Sequence, residues 1–463
     1  MIAQLVVVLI FLASAYITWT RGVAFTCMLV YLPVQFFLAS TEAIRLPLLP
    51  DMTSQFAVGY GLLAGLLFRG GEHIPFRWNI LDTIVTSLWM LAVVSEFSSE
   101  GLSMARNALG DGFLGMITPY FMARWAFFSA PARRVGFWSV ALCAVILCLL
   151  CPIEMRLRPQ IWSRILEQFG LYEAANSMPL YRFGLARAQT TFWQPMDQGL
   201  AGAIMAGLVA LFASTTSIGL RNWKAWVGIA AGVCVSLASL SFSAFLTLAV
   251  AGGVFVVVYC LPFLGRAVLL FVLVAGIGAV GFSRHMLSVE LPERDEKFGQ
   301  TVADSLYMRT LIMQQAWPVM QEAGWLGFGK RVDKSRLELD SVDNAYLLMV
   351  VQRGWLYFVV FLMIPLVLAV RTAAIWKRAP SESQRIPVLI SFSVLLAILV
   401  AMYTIFFGFV YARLWIVLLG LFGSLSDVLL GRSLLESERP VGVVIPARTG
   451  LPVRTAVPAG GRT

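Results

Sequence analysis

The chain has 463 residues, of which 59% are hydrophobic and only 13% are charged, whereas about a quarter of the residues in soluble domains are charged. This composition excludes an ordinary soluble protein, and the continuous rather than alternating apolar runs exclude a transmembrane β-barrel. The net charge of +10 does not indicate nucleic-acid binding, because basic residues in a membrane protein first report its orientation.

Apolar runs of roughly 20 residues, the length that crosses the hydrocarbon of a bilayer, recur along nearly the whole chain. The sequence therefore predicts an all-α fold, a polytopic transmembrane helical bundle of about 12–13 spans with a large, partly helical extracytoplasmic loop. The predicted spans are 2–19, 23–40, 54–68, 80–97, 112–130, 135–152, 199–219, 226–241, 243–262, 266–283, 346–370, 387–408 and 411–430. The first run lacks a basic region before it, which favours a retained span over a signal peptide.

Two local features of the spans leave alternatives open. The serine-rich segment SLASLSFSAF lies in the middle of 226–262, which is either one long helix or a pair broken by a tight, buried turn. The six cysteines lie in or beside apolar runs and are interpreted as small lipid-facing or core-facing residues, with a Cys148–Cys151 disulfide as the alternative.

Basic residues in the short connections predict the orientation. With the N-terminus outside, the short inner connections contain thirteen lysines and arginines, and the short outer ones contain only Arg45, Arg106 and Arg413. This asymmetry fits the positive-inside rule. The domain prediction is a single transmembrane domain over 1–430 and a disordered cytoplasmic tail, rich in Gly, Pro and Arg, over 431–463.

Two long connections, about 153–198 and 284–345, then lie outside. Long loops are uncommon unless they are functional, so each is either an ordinary solvated loop or part of an outer-face site for an anionic ligand. In the first loop, Arg182 and Arg187 shortly precede a span, and arginine matches phosphate oxygens in bidentate geometry. Trp193 is an interfacial belt residue or a sugar-stacking surface, and Asp197 with Gln198 marks a helix start, where Asp197 is a cap or a sugar contact.

The second loop predicts a helix from Ser305 to about Glu322. Leu306, Met313, Trp317 and Met320 fall near one face, as expected for a helix on the membrane or packed on the bundle. Arg309 either snorkels to the interface or holds phosphate. The segment GWLGFG at 324–329 ends this helix, and it is not a phosphate loop because the following Lys-Ser/Thr pair is missing.

The segment LELDSVDNAYLLMVVQRGW at 337–355 places three carboxylates before a span and a cation within it. Glu338 and Asp340 are interpreted as solvated. Asp343 and Asn344 stand directly at the span, where function and helix capping are the two alternatives. A carboxylate cluster can also hold a divalent cation, although no metal site is favoured.

The apolar run that follows contains Arg353, about 15 Å into the helix at 1.5 Å per residue. At that depth Arg353 is expected to be a buried partner of an acid or of pyrophosphate rather than a surface anchor.

These segments together resemble the bacterial O-antigen ligase and O-antigen polymerase superfamily, which includes exopolysaccharide polymerases. The matching pieces occur in the family's order over roughly 182–362: RFGLARAQTTFWQPMDQGLAGAI, SLSFSAFLTL, SLYMRTLIMQQAWPVMQEAGWLGFG and VDNAYLLMVVQRGWLYFVVF. The first 150 residues agree with the family only as a hydropathy pattern.

The resemblance implies glycosyl transfer at the outer face of the bacterial inner membrane. The donor would be a glycan on undecaprenyl pyrophosphate, and the acceptor another lipid-linked glycan or lipid A core. Arg182, Arg187 and Arg309 would stabilise the pyrophosphate leaving group, with Arg353 as a further candidate. No cofactor or nucleotide sugar is implied, and a chain-length regulator and a flippase are possible partner proteins.

One departure from the family bears on the reaction. Ligases of the family usually carry histidine directly before the asparagine, where this chain has Asp343. His285 lies far earlier in the same loop and is interpreted as interfacial, and His73 is predicted to face the cytoplasm. The missing histidine favours a polymerase or a divergent exopolysaccharide enzyme in which an aspartate acts as base.

The leading hypothesis is a polysaccharide polymerase that inverts the anomeric carbon in a single displacement, because a lone candidate base without a nucleophile pair favours direct attack. Asp343 and Asn344 are the candidate catalytic residues. The candidate sugar-binding residues are Trp193, Asp197, Gln198 and Tyr346. The alternatives are a ligase that transfers a finished glycan, a transporter or flippase, and an inactive structural partner of an assembly machine. Transport is disfavoured because no repeat is evident and the charges within spans lie near their ends.

Overall fold

The computed structural model describes residues 2–38, 44–46, 49–70, 76–157, 161–169, 181–182, 184–192, 194–260, 302–329, 344–379, 381–402 and 409–431. The first half of this part contains α1 (Ile2–Arg21), α2 (Val23–Thr26), α3 (Leu32–Phe37), α4 (Ser54–Arg69), α5 (Ile80–Glu100), α6 (Leu102–Gly112), α7 (Thr118–Phe128) and α8 (Ala130–Pro152). Single π-helical segments continue α2 into α3 (Cys27–Tyr31), α6 into α7 (Phe113–Ile117), and α8 beyond its end (Ile153–Leu157).

The second half contains α9 (Ile161–Gln168), a hairpin of β1 (Tyr181–Arg182) and β2 (Leu185–Ala186), and then seven helices. These are α10 (Pro195–Ser214), α11 (Trp223–Ala238), α12 (Phe242–Cys260), α13 (Val302–Glu322), α14 (Ala345–Arg378), α15 (Glu382–Ala401) and α16 (Phe409–Leu429).

The predicted all-α polytopic membrane fold is confirmed. In the described residues, eight helices are long and apolar enough to cross a membrane: Ile2–Arg21, Ile80–Glu100, Ala130–Arg156, Pro195–Ser214, Phe242–Cys260, Ala345–Arg378, Glu382–Ala401 and Ala412–Leu429. Within the described residues, each predicted span overlaps a helix, and 266–283 lies outside those residues. The span predicted at 112–130 belongs to a helical run that already begins at Leu102. The orientation of the bundle stays a prediction.

Helix α10 lies at the centre of the bundle, where small residues allow its close approach to α11. A Cβ atom built on Gly202 would lie 2.5 Å from the backbone nitrogen of Ser236, and one on Gly232 would lie 2.7 Å from that of Ala206. Small residues at such positions let helix backbones meet where no hydrophobic force drives association in lipid. The contact fixes the end of α11, from which the serine-rich turn begins.

The serine-rich segment forms the tight, buried turn that the sequence offered as one of two alternatives. Helix α11 ends at Ala238, α12 begins at Phe242, and Leu240 between them has a φ of 46°. Ser239 and Ser241 are buried. We call residues 239–241 the serine turn. It leaves main-chain carbonyl groups of Ser239 and Leu240 without helical partners, and these must be satisfied by other groups.

The alternative of a Cys148–Cys151 disulfide is wrong, because all six cysteines are free thiols. Cys151 is buried against α10, where its Sγ atom lies 3.4 Å from Nε2 of Gln198. The side chains of Cys234 and Cys260 are exposed on the bundle surface. The core-facing interpretation is confirmed for Cys27, Cys143 and Cys151, which are buried, and lipid contact by the other three stays a prediction.

A buried ionic network joins α5, α7, α14 and α16. Arg124 lies between the carboxylates of Asp82 and Asp427, with its Nη2 atom 2.5 Å from Asp427 Oδ2. Arg371 donates to the other oxygen of Asp427 at 3.0 Å, and Tyr120 donates to Asp82 at 2.8 Å. Two arginines thus neutralise two aspartates in a region where an unpaired charge is costly. The sequence had placed Asp82 and Arg124 near span ends without pairing them.

Candidate functional site

The hairpin places Arg182 and Arg187 against the serine turn. Arg182 pairs with Leu185 in the antiparallel register, and Gly184 between the strands has a φ of 72°. The backbone N–H of Ala188 donates to the carbonyl oxygen of Ala238 at 3.1 Å and ties the hairpin to the end of α11. The predicted anionic-ligand arginines therefore lie on an ordered part of the first long loop.

Each arginine uses one nitrogen to satisfy a carbonyl group of the serine turn. Nη1 of Arg182 donates to the oxygen of Leu240 at 2.8 Å, and Nε of Arg187 donates to the oxygen of Ser239 at 3.0 Å. Neither side chain forms an ion pair with a carboxylate of the described residues. Among the described residues, the other guanidinium N–H groups of the two arginines have no hydrogen-bond partner, so they can donate to a ligand.

The electrostatics of this pair favour an anion. Both side chains are partly buried, and burial together with the nearby charge of Arg182 lowers the pKa of Arg187 to about 10. Arg187 remains a cation at neutral pH, yet two like charges in a partly dehydrated place repel each other. A phosphate or pyrophosphate between the two guanidinium groups would relieve that repulsion and accept their free N–H groups.

Glu154 holds the segment that follows Arg187, and sequence reasoning missed it. Its side chain is 1% exposed, and its Oε2 atom accepts from the backbone N–H groups of Gln189 at 3.0 Å and Thr190 at 2.7 Å. Thr190 has a φ of 40°, an unusual conformation for a β-branched residue, which these two hydrogen bonds stabilise. The available signal was an acid placed directly after an apolar run and Pro152.

Gln198 is fully buried and its amide is engaged within the protein. Its Oε1 atom accepts from the Thr190 hydroxyl at 2.9 Å, and its Nε2 atom donates to the carbonyl oxygen of Val235 at 3.2 Å. Gln198 therefore connects α10 with α11 and with the segment that Glu154 holds. This geometry gives Gln198 a structural role, and its contact with a sugar stays a prediction.

Asp197 differs from its neighbour. It is half-buried in the first turn of α10, and its side chain neither caps the helix nor bonds to another described residue. Its carboxylate oxygens are therefore not committed to a partner in the part of the chain that the structure describes. The predicted sugar-stacking residue Trp193 lies outside the described residues.

At the start of α14, Asn344 is the N-cap. Its Oδ1 atom accepts from the backbone N–H groups of Tyr346 at 3.1 Å and Leu347 at 3.2 Å. Tyr346 donates its hydroxyl to the carbonyl oxygen of Leu399 on α15 at 2.5 Å. Both side chains thus have structural partners, while Asp343, Asp340 and Glu338 lie outside the described residues.

Arg353 pairs with an acid, one of the two alternatives that the sequence left open. Its Nη1 atom lies 2.5 Å from Oε1 of Glu96 and 3.1 Å from the carbonyl oxygen of Ala92, both on α5. Arg309 lies within α13, and its side chain is not among those that the structure describes. Pyrophosphate contacts by these two arginines remain predictions.

The structure brings some of the predicted residues together and separates others. Arg182, Arg187, Asp197 and Gln198 are grouped around the serine turn, whereas Asn344 and Tyr346 lie on α14. Helix α15 connects the groups, because it packs on both α10 and α14. Arg353 lies apart on the face of α14 that contacts α5.

Helix α13 attaches to α14 at a break in the latter. Gly354 has a φ of 82° within α14, and the segment 324–329 bonds to the opened backbone there. The backbone N–H of Phe328 donates to Val351 O at 2.9 Å, and that of Trp355 donates to Gly324 O at 3.1 Å. The predicted apolar face is confirmed at Met313 and Met320, which are buried, and Trp317 packs partly buried beside them. The side chain of Leu306 lies outside the described part.

The described residues contain no group of three or more His, Cys, Asp or Glu side chains that could hold a metal ion. The acidic residues 338, 340 and 343, which the sequence offered as a cation cluster, lie outside that part of the chain. Arg182 and Arg187, which donate to the serine turn, are cations and suit an anion.

Comparison with known proteins found one match to a family model. Residues 226–362 match a protein-family model described as O-antigen ligase. The match contains the serine turn and the first part of α14 with Asn344 and Arg353. No curated protein matches the chain. The resemblance to the O-antigen ligase and polymerase superfamily is thereby confirmed for this segment.

Proposed function

We propose, from the similarity of residues 226–362 to O-antigen ligases, that the chain is a membrane glycosyltransferase that polymerises undecaprenyl-pyrophosphate-linked repeat units of a bacterial surface polysaccharide or exopolysaccharide. It would act at the outer face of the inner membrane. The observation that carries the proposal is the pair Arg182 and Arg187. Each is fixed to a carbonyl oxygen of the serine turn, inside the matching segment, without a carboxylate partner among the described residues.

In the proposed reaction, a hydroxyl oxygen of the acceptor sugar attacks the anomeric carbon of the donor glycan. The bond between that carbon and the pyrophosphate oxygen breaks, and its electron pair leaves with the pyrophosphate. Arg182 and Arg187 stabilise the charge that develops on the leaving group, because fixed donors in a water-poor site need no reorganisation during the reaction. A single displacement of this kind inverts the anomeric carbon.

The proton of the attacking hydroxyl requires a base. Asp343 is the candidate from the sequence, directly before the N-cap of α14, and a carboxylate within hydrogen-bond reach can accept that proton. The capping bonds of Asn344 fix the start of the helix, so residue 343 would be positioned by an ordered neighbour. Arg309 on α13 would add a further cation for the pyrophosphate.

A ligase is the second candidate function. The matching family model is described as O-antigen ligase, which favours transfer of a finished glycan to another acceptor. The aspartate at position 343, where family ligases usually have histidine, favours the polymerase. Both reactions would use the same leaving group, so the arginine pair suits both.

The test is to express the double variant Arg182→Gln/Arg187→Gln, and separately Asp343→Asn, in a strain that lacks the natural gene. Polymer length distributions and lipid-linked intermediates would be measured. A polymerase predicts single repeat units on the lipid carrier in both variants. A ligase instead predicts long lipid-linked polymer that never reaches its acceptor.

Arg106→Gln is the matched control. Arg106 is an exposed arginine, and the sequence predicts that it lies on the same side of the membrane as Arg182 and Arg187. Membrane levels of all variants would be compared by immunoblot. Normal polymer from the double arginine variant at wild-type membrane levels would exclude the arginine pair as the leaving-group site.

A further inference from the structure

Three polar side chains near the start of α16 have buried polar atoms without a hydrogen-bond partner among the described residues. These atoms are the hydroxyl of Tyr31, both polar atoms of the Gln35 amide, and Nη1 of Arg413. Tyr31 is 2% exposed and Gln35 is 0% exposed. Most buried polar groups in proteins are hydrogen-bonded, and each one left without a partner is destabilising. Three such side chains in one region of the described structure require an explanation.

The three side chains lie on two helical segments that pack together. Tyr31 and Gln35 are four residues apart on the continuous helical run from α2 to α3, so they lie on one face. Arg413 on α16 is close enough to Tyr31 that each acts electrostatically on the other. Helices α3 and α16 are in contact. The arrangement thus combines one cation, one hydroxyl and one amide in the interior of the bundle.

The described neighbours of Arg413 fix the position of its side chain but do not form an ion pair with it. Its guanidinium carbon lies 5.2 Å from the ring centre of Phe56 on α4. A Cβ atom built on Gly115 would lie 3.7 Å from its Nε atom, so the chain passes closely on that side. Asp111 acts on Arg413 electrostatically, and no carboxylate of the described residues lies within ion-pair distance of it.

This cluster lies beside the candidate site. Thr191, two residues after the Gln189 that Glu154 holds, donates its hydroxyl to the carbonyl oxygen of Phe36 at 2.5 Å. Phe36 directly follows Gln35. The segment that carries Arg187 is therefore joined to the helix that carries Tyr31 and Gln35. Arg413 is also one of the few basic residues that the sequence places on the outer side.

We propose that Arg413, Tyr31 and Gln35 form a second oxyanion-binding site, for the phosphate groups of a second lipid-linked molecule. Guanidinium, phenol and amide groups all donate to oxygen, and a cation that is partly removed from water attracts phosphate strongly. The assignment to a substrate rests on the proposed function: a polymerase joins two lipid-linked glycans, so it must hold two pyrophosphates at once. The arginine pair at the serine turn would hold the donor, and the Arg413 site the acceptor.

The test counts bound ligands and does not depend on catalysis. The purified full chain in detergent would be titrated with inorganic pyrophosphate and with farnesyl pyrophosphate, and the number bound per chain measured by equilibrium dialysis. We expect two farnesyl pyrophosphates in the wild type and one in Arg413→Gln. We expect one in the Arg182→Gln/Arg187→Gln variant, and none in the combined triple variant.

Tyr31→Phe keeps the buried ring and removes only the hydroxyl, so it tests the site with little risk to folding. Because one hydrogen bond to a charged ligand is lost, the Kd of the Arg413 site should rise about tenfold. The controls are Tyr16→Phe and Arg106→Gln, which change an exposed tyrosine and an exposed arginine. Both should bind as the wild type does.

The outcomes separate this inference from the proposed function. If Arg413→Gln and Tyr31→Phe both bind as the wild type does, the second site does not exist. If those two variants lose a site while the Arg182→Gln/Arg187→Gln variant keeps both, the Arg413 site stands and the donor assignment fails. Equal binding of inorganic and farnesyl pyrophosphate would retain the oxyanion site and overturn its assignment to a lipid-linked molecule.

Discussion

Arg353 of α14 and Glu96 of α5 form an ion pair across two helices, with Nη1 of the arginine 2.5 Å from Oε1 of the glutamate. The glutamate side chain is 1% exposed and that of the arginine is 18% exposed. Ser95 beside it donates to the carbonyl oxygen of Gln352 at 3.0 Å. The two helices are therefore tied by charge and by a hydrogen bond to the opened backbone of α14.

The Arg353–Glu96 pair predicts that one single substitution destabilises the protein more than the double substitution does. Arg353→Met leaves the carboxylate of Glu96 buried without its cation, which should cost about 3–5 kcal/mol. Arg353→Met/Glu96→Gln removes both charges and should recover most of that loss. Thermal unfolding in detergent, followed by tryptophan fluorescence, would measure both. Equal destabilisation in the single and double variants would show that charge pairing is not what stabilises the contact.

Arg124 predicts a large loss of stability on substitution, because it pairs with both Asp82 and Asp427, whereas Arg371 pairs with Asp427. Arg124→Met removes the cation between Asp82 and Asp427, both almost completely buried. We expect a loss of about 3–5 kcal/mol and little folded protein in the membrane fraction. Arg134→Met is the control, because Arg134 is exposed near the start of α8. Similar yields of the two variants after detergent extraction would contradict the importance of the network.

The contact between α10 and α11 predicts that Gly202→Val is not tolerated. The added side chain would meet the backbone nitrogen of Ser236 and the carbonyl oxygen of Gly232, at 2.5 Å and 2.8 Å from its Cβ. We expect a loss of about 2 kcal/mol or more from overpacking, and a displaced serine turn. The control is Gly252→Val on α12, where nothing lies within 4 Å of the new Cβ. Size-exclusion profiles and pyrophosphate binding of both variants would be compared.

The arginine pair predicts the pH dependence of anion binding. The pKa of Arg187 is lowered to about 10 by burial and by Arg182, so its charge is fully present well below that pH and is lost as the pH rises through it. Sulfate keeps one charge state across this range, and its binding should be constant from about pH 6 to about pH 8 and weaken above about pH 9. The double variant Arg182→Gln/Arg187→Gln provides the baseline at each pH. If sulfate binding instead has its midpoint near pH 6.5, a histidine carries the charge that binds the anion.

Two variants of Asn344 distinguish a role in helix capping from a role in catalysis. Asn344→Ala removes both capping bonds and should destabilise the start of α14 by about 1 kcal/mol. Asn344→Ser restores an acceptor for the same backbone groups and should recover stability. If the serine variant also makes polymer of normal length, the role of Asn344 is capping. A stable serine variant without polymer would identify the amide as a contact of the substrate.

The helices could be predicted from the sequence because each long apolar run determines a span locally. The serine turn could also be located, since several hydroxyl groups in succession are tolerated in a membrane only where the protein surrounds them. Arg182 and Arg187 could be singled out by their position before a span. Their orientation could not, because it depends on two carbonyl groups more than fifty residues further along the chain.

What the sequence did not predict depends on contacts between distant segments. The role of Glu154 becomes visible only with the backbone of residues 189 and 190 folded over it. Gln198 is a candidate sugar contact from its place at a helix start in the first long loop. Its hydrogen bonds to Thr190 and Val235 add a structural role that the sequence did not predict. The hydrogen-bond partners of a polar side chain, and not its polarity alone, distinguish a structural role from a role in ligand binding.

The interruption of α14 at Gly354 has a consequence for how α13 can change during evolution. The segment 324–329 is held by four main-chain hydrogen bonds to residues 351, 352, 355 and 356, and such bonds do not depend on which side chains are present. Gly327 and Gly354 are constrained, since a Cβ on either would lie within 2.6 Å of backbone atoms across the junction. The neighbouring side chains are free of that requirement. The side chains of α13 can therefore vary while its attachment to α14 stays constant.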